Sequence, residues 1–363
     1  MPHPVWHHWH QADYRFTYHV PGEGIRRTVT FNEHGMRDSL PRQTARRPGV
    51  GRIAVLGDSF VEAMQVEEHE GICKQLEALL SESVPTEVLN FGCSGFSTSL
   101  EYLILREWVV RWKPDAVVCL HHFSDITEDW RFRTKAVGAG EDLRAVVPSG
   151  SGWGRQVRRV MDASSACRLI SLTLQAVRSR PPSHAASLQD GYDAIVNAPY
   201  NQQDEVAFAY SLSYLGLMND LLRQQGIPLV VVVIPLGPQV EPVPVELARR
   251  LGLRYLADGQ RLEHTGYQEM VRRFCHAHDI AVTDLLDAFQ TANPTGKPLL
   301  YYSRDQHWTA EGHALAARRI AEELKPLQVG SASRLAVPPR GRKAITCQAR
   351  ASSPPPAASA RCR

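Results

Sequence analysis

No stretch of eighteen or more consecutive apolar residues occurs in this 363-residue chain, so no segment reads as a membrane-spanning helix. The opening Met1-Pro2-His3-Pro4 lacks a basic segment and an apolar one, so no export signal is read there and a cytoplasmic location is the default expectation. Paired cysteines are missing too. Seven cysteines are scattered from Cys73 to Cys362 without a C-x-x-C pair, which fits reduced core thiols better than a disulfide framework or a zinc site. A basic face on the body is also lacking. The formal charge of +3 is carried by Arg334, Arg340, Arg342, Lys343, Arg350, Arg361 and Arg363, and without these seven the remainder stands at about −4, so no nucleic-acid partner is expected.

What is present, at 43% apolar content, is enough to bury one sizeable core. Short apolar runs alternate with helical periodicity, the pattern of a parallel sheet covered on both faces. Five strands are read: Ile53 to Leu56, Glu87 to Asn90, Ala116 to Leu120, Pro228 to Ile234 and Ile280 to Asp284. Stripes such as Ile72, Leu76, Leu79 and Leu80, or Phe208, Leu212, Leu215 and Leu222, mark helices whose apolar faces belong to the core.

Chemistry enters at Gly57-Asp58-Ser59-Phe60, directly after the first of these strands. A strand, a sharp glycine turn and a following helix would present Ser59 as a nucleophile at the carboxyl edge of the sheet. Asp58-Ser59 also suits a helix N-cap. A serine nucleophile needs a base, and Asp305-Gln306-His307-Trp308 supplies an imidazole and a carboxylate two residues apart before a helical run. The alternative reading has Asp305 capping that helix and His307 packing on Trp308.

These blocks resemble the SGNH hydrolases of the GDSL family, in the family's order from about Arg52 to Leu324. Gly57-Asp58-Ser59-Phe60 is similar to block one, and Asn90-Phe91-Gly92-Cys93-Ser94-Gly95-Phe96-Ser97-Thr98 to block two. Asp305 with His307 matches block five, and Asn32-Glu33-His34-Gly35-Met36-Arg37 an upstream Asn-x-x-Gly-x-Arg stretch. The resemblance implies a three-layer α/β/α sandwich with a mostly parallel five-stranded sheet, and a serine esterase acting through an acyl-enzyme without cofactor or metal. Ser59 would be nucleophile, His307 base and Asp305 its orienting acid. The oxyanion hole would draw on Ser59, Gly95 (with Gly92 as second candidate) and Ser124.

Two departures from the family pattern stand out. Block three has Phe123-Ser124-Asp125 where the family carries an asparagine donor, so the shorter hydroxyl of Ser124 weakens that part of the oxyanion hole. The D-x-H spacing replaces D-x-x-H, the longer form placing its acid at Arg304, and resembles a branch that includes polysaccharide O-acetyl transfer and deacetylation proteins. The expected substrate is therefore a short acyl ester on a carbohydrate or lipid. O-acyltransfer by the same residues and a catalytically weakened binding module are the alternatives, and the oligomeric state stays open.

The expected organisation is an N-terminal extension over 1–50, an esterase-type domain over 51–329 with an insertion at about 129–201, and a basic disordered tail over 330–363. The insertion reads as a lid or as a surface excursion. Phe60, Phe96, Trp130 and Trp308 are read as sugar-stacking or packing aromatics. His7, His8 and His10 read as adventitious metal contacts, Cys275, His276 and His278 as a poor zinc motif, and His313 as a packing or capping residue. Of His121 and His122, alternation allows only one to face inward.

Overall fold

Leu229-Val230-Val231-Val232-Val233 is buried along its whole length, as a central strand with helices on both faces must be. The computed structural model describes residues 1–148, 202–251, 253, 256–263, 266–294 and 299–331. Nine strands are described: β1 (Tyr14–Val20), β2 (Ile25–Phe31), β3 (Gly51–Gly57), β4 (Thr86–Gly92), β5 (Ala116–His121), β6 (Ala136–Val137), β7 (Ala145–Val146), β8 (Leu229–Val233) and β9 (Ala281–Asp284). The helices are α1 (Ser59–Glu62), α2 (Ile72–Ser81), α3 (Thr98–Glu107), α4 (Phe123–Phe132), α5 (Gln202–Arg223), α6 (Gly237–Val240), α7 (Val245–Arg250), α8 (Gly266–Ala277), α9 (Leu286–Ala292) and α10 (Ala310–Ser331).

The main sheet has the order β4-β3-β5-β8-β9, and every neighbouring pair is parallel. Alternation sends Ile53 and Val55 to one face and Ala54 and Leu56 to the other. The first face packs against α2 and α10 through Leu76, Leu80, Ile320 and Leu324. The second packs against α3, α5 and α8 through Leu103, Leu215, Met218 and Val271. The result is the three-layer α/β/α sandwich anticipated from the sequence, and all five strands fall where the apolar runs stand.

The first fifty residues pack on this body. Trp6, Trp9 and Met36 are buried in the same core as Leu56 and Phe91. The β1–β2 hairpin was not anticipated, although Tyr14-Arg15-Phe16-Thr17-Tyr18-His19-Val20 alternates and ends in Pro21-Gly22-Glu23-Gly24, both hairpin signals. At the amino edge of the sheet, Arg52 and Glu87 lie opposite each other in the ladder, their side chains 2.6 Å apart and buried. The Arg52 guanidinium also donates to the carbonyls of Gln43, Thr44 and Trp112, which ties down the approach to β3. Of the expected insertion, the part from 149 to 201 lies outside the described residues. Before it, α4 continues into the β6–β7 pair, and Val146 bridges to Trp6. α10 runs to Ser331, and the rest of the tail is outside the described residues.

Candidate functional site

Three neighbouring strands, β4, β3 and β5, each lead at their carboxyl end into a segment that carries a predicted site residue. β3 ends at Gly57, whose added Cβ would sit 2.4 Å from Val61 Cγ2, so only glycine lets α1 turn back so tightly. Asp58 then caps α1 by accepting from the Phe60 amide at 2.9 Å. The cap and nucleophile readings are therefore compatible: Asp58 takes the cap, and Ser59 is left facing His307. Its Oγ lies 2.7 Å from His307 Nε2, and His307 Nδ1 lies 3.0 Å from Asp305 Oδ2. A carboxylate only accepts, so Nδ1 carries the proton and Nε2 is free to accept the Ser59 hydroxyl.

The short D-x-H spacing has a backbone reason. Gln306, between the two residues, has φ +62, a left-handed conformation rare outside glycine. It curls the chain so that His307 Nδ1 sits 3.2 Å from the Asp305 carbonyl as well as beside the carboxylate. The turn is locked by Gln306 N–H and side-chain donation to Tyr302 O at 3.0 and 3.1 Å. Glu23, at the tip of the β1–β2 hairpin, accepts from the Asp305 amide at 3.0 Å and from the Arg304 amide. His307 and Asp305 are thus braced by the N-terminal hairpin, a contact no local signal in the sequence shows. Asp305 does not cap α10.

Burial alone would lower the His307 imidazole, but its hydrogen bond to Asp305, the charge of Asp305 and that of nearby Asp58 outweigh it and hold it above its ordinary value. Asp305 is held below its ordinary value because the His307 bond and charge override burial. Asp58 is pushed up by burial against the donations from Phe60 and Ser124.

Block two follows β4. Gly92 lies directly opposite Gly57 in the ladder, and a Cβ there would meet Glu62 N at 2.4 Å and Val61 Cβ at 2.6 Å. Its amide donates to Asn90 Oδ1 at 2.9 Å. Gly92 therefore serves close packing, which removes it as a candidate oxyanion donor. Gly95, at φ +76, is half-buried in the loop between β4 and α3. Asn90 reaches back to Val61 O at 3.0 Å, and Ser94 donates its amide to Glu62 Oε2 at 2.9 Å. Glu62 is pulled below its ordinary value despite burial by bonds from His10 and Ser94.

Block three places Ser124 in the first turn of α4, with its hydroxyl engaged. It shares a 2.7 Å hydrogen bond with His122 Nδ1 and lies 3.3 Å from Asp58 Oδ2. Both His121 and His122 are buried, against the expectation that alternation admits only one. The strand ends at His121, and His122 caps α4 instead of continuing the pleat. The Asn-x-x-Gly-x-Arg stretch is a clamp. Asn32 Oδ1 accepts from His34 and Met36 amides, and buried Arg37 donates to the carbonyls of Glu62, Ala63 and Val66 at the end of α1.

Phe60, Phe96 and Trp308 are buried and belong to the core; Phe60 lies with its ring centroid 4.9 Å from that of His307. Trp130 is half-buried, under the Arg133 guanidinium. His313 is buried edge-on against Trp308. Cys275 is a buried core thiol, and His278 stacks on Phe274. Among the described residues no group of three or more His, Cys, Asp or Glu side chains is arranged to hold a metal ion, and no helix is long and apolar enough to cross a membrane.

Residues 197–340 match the family described as "SGNH hydrolase-like domain, acetyltransferase AlgX", a span that includes Asp305 and His307 but not Ser59. Similar solved structures include a lipase/acylhydrolase from Enterococcus faecalis, 13% identical over 76% of this chain and 96% of its own, with a TM-score of 0.41. A catalytic mutant of an acetylxylan esterase from Geobacillus stearothermophilus is 14% identical over 76% and 94%, also at 0.41. An α/β hydrolase from the metagenome of Lake Arreo is 15% identical over 75% and 95%, at 0.38. No curated protein matches the chain in sequence.

Proposed function

We propose that the protein is a serine esterase that removes a short acyl group from an ester through an acyl-serine intermediate. The observation that carries this reading is the chain of contacts Ser59 Oγ to His307 Nε2 at 2.7 Å and His307 Nδ1 to Asp305 at 3.0 Å. His307 accepts the Ser59 proton as Oγ attacks the acyl carbonyl, and Asp305 holds the tautomer and steadies the imidazolium. The proton then passes from Nε2 to the departing alkoxide, which leaves as an alcohol. Water, deprotonated by the same nitrogen, attacks the acyl-enzyme and releases the acid. The negative oxygen of each tetrahedral intermediate is received by the Ser59 and Gly95 amides.

A second reading has support of its own. The family matched by residues 197–340 is described as an acetyltransferase, and transfer differs only in that a hydroxyl replaces water as acceptor. The same match favours an acetyl-sized group, and the D-x-H spacing of Asp305 and His307 is what points to a carbohydrate or lipid hydroxyl as the alcohol. Under either reading Ser59 becomes acylated.

A fluorophosphonate probe tests both against a binding module that keeps the fold without the chemistry. Wild-type protein should label at Ser59, and Ser59→Ala should abolish labelling and aryl-acetate hydrolysis. Equal labelling of the mutant would overturn the assignment. Hydrolysis is then separated from transfer by comparing free acetate with acetylated oligosaccharide when an aryl acetate is supplied alongside a sugar acceptor.

A further inference from the structure

We infer that His8 is a positioning residue for this site: it fixes the rotation of the Ser94–Gly95 peptide so that the Gly95 N–H faces the oxyanion. The inference rests on the reading of Ser59 as nucleophile and concerns how the second backbone donor is aimed.

The Cys93–Phe96 loop is a tight turn closed by the Phe96 amide on Cys93 O at 2.9 Å. Gly95 has φ +76 while Ser94 has no positive φ, which makes the turn type II. Types I and II differ by about a half-rotation of the central peptide, here Ser94–Gly95. In a trans peptide the N–H points opposite to the C=O, so whatever holds the Ser94 carbonyl also aims the Gly95 N–H. His8 Nε2 holds it, at 2.8 Å. A carbonyl only accepts, so Nε2 carries a proton. Burial keeps the ring neutral, His8 being lowered from its ordinary value chiefly by desolvation. Its Nδ1 must then accept, and His7 Nδ1 stands 3.0 Å away as the donor.

The support for His8 is itself built in. Its ring sits edge-on to Phe96, with centroids 5.2 Å apart. Trp6 and Trp9, on either side, are buried in the core. His7 between them is held at φ +60, a strained conformation for a residue with a side chain, by bonds from His3 N to His7 O and from His8 N to Trp6 O. Translation of the loop is fixed separately: Glu62, three residues after Ser59, accepts from Ser94 on one oxygen and pairs with His10 Nε2 at 2.6 Å on the other. Glu62 thus sets where the turn sits relative to the nucleophile, and His8 sets which way its central amide points.

The test uses the full chain with His8→Ala, His8→Asn and His8→Gln, of which only glutamine carries an amide N–H at the position of Nε2. The readings are the second-order rate of fluorophosphonate labelling, kcat and KM for an aryl acetate, and Tm. Alanine and asparagine should lower kcat and the labelling rate together by about 10-fold or more, with KM within about twofold, and glutamine should restore most of the loss. A kcat in the alanine variant within twofold of wild type overturns the inference, as does equal loss in the glutamine and asparagine variants. If alanine does not fold, the asparagine and glutamine pair decides by the same comparison. Absence of Ser59 labelling in the wild type is the distinct outcome that removes the esterase reading, and this inference with it.

Discussion

Gly57 and Gly92 stand side by side in the β3–β4 ladder, directly under the short helix that begins with Ser59. Neither position has room for a methyl group, because Val61 fills the space above one and the α1 backbone the space above the other. The pair lets the helix lie almost on the sheet and brings Ser59 to the level of His307. Sequence spacing marks each glycine but not their register, which parallel pairing alone decides.

Gly92→Ala should therefore be more harmful than an ordinary buried glycine substitution. Its Cβ meets backbone, which cannot swing aside as a side chain can, so a loss of about 1–3 kcal/mol is expected together with slower labelling of Ser59. Urea denaturation and the fluorophosphonate rate measure the two effects. Wild-type values for both would show that α1 does not depend on this contact.

Activity should rise with pH along one limb governed by His307, with a midpoint above the ordinary histidine value of about 6.5, because Asp305 holds the imidazole up. Asp305→Asn should move the midpoint down and lower kcat, by less than His307→Ala does. For stability the sign is reversed. A histidine raised in the fold contributes fully below its unfolded value and loses that contribution as pH rises through the folded one. A limb unmoved by Asp305→Asn would mean that another group controls the rate.

Ser124→Ala should cost less than the ~3 kcal/mol expected of an essential oxyanion donor. The Ser124 hydroxyl is already shared with His122 and Asp58, so its removal should mainly loosen those two side chains. Single-turnover acylation rates would reveal this as a modest loss; a drop of more than 100-fold with the fold intact would make the hydroxyl a direct donor.

Acid sensitivity should trace in part to His313. It is buried and lowered to about 3 by desolvation, with Arg37 and His307 adding to the effect, and its Nδ1 has no partner. Such a group contributes stability above about 6.5 and loses it as pH falls toward its folded value, approaching about 1.4 kcal/mol per pH unit. His313→Phe should therefore gain on the wild type as pH falls from 7 to 5 in paired denaturation curves. Parallel curves would place the acid sensitivity elsewhere.

Much of this was legible in the sequence because it was written locally. The five strands are branched apolar runs, and Ser59, Asp305 and His307 sit in short motifs whose chemistry needs those residue types. What escaped was written at long range. The acceptor of His8 lies 86 residues away, and that of the Asp305 amide 282. Nothing local in the sequence links Glu62 to His10 and Ser94, its partners in the fold. Ser124 reads as a free donor because nothing local shows that His122 leaves its strand to cap a helix and take up the hydroxyl.

The partners of Ser59 come from the far end of the chain: His307 stands 248 residues downstream, on a loop that β1–β2 braces through Glu23. During synthesis Ser59 is made long before His307 and lacks this imidazole partner until the segment carrying His307 has emerged and docked. On the esterase reading proposed above, a nascent or prematurely terminated chain is expected to be inert toward esters, and the appearance of serine reactivity would become a clock for the completion of folding.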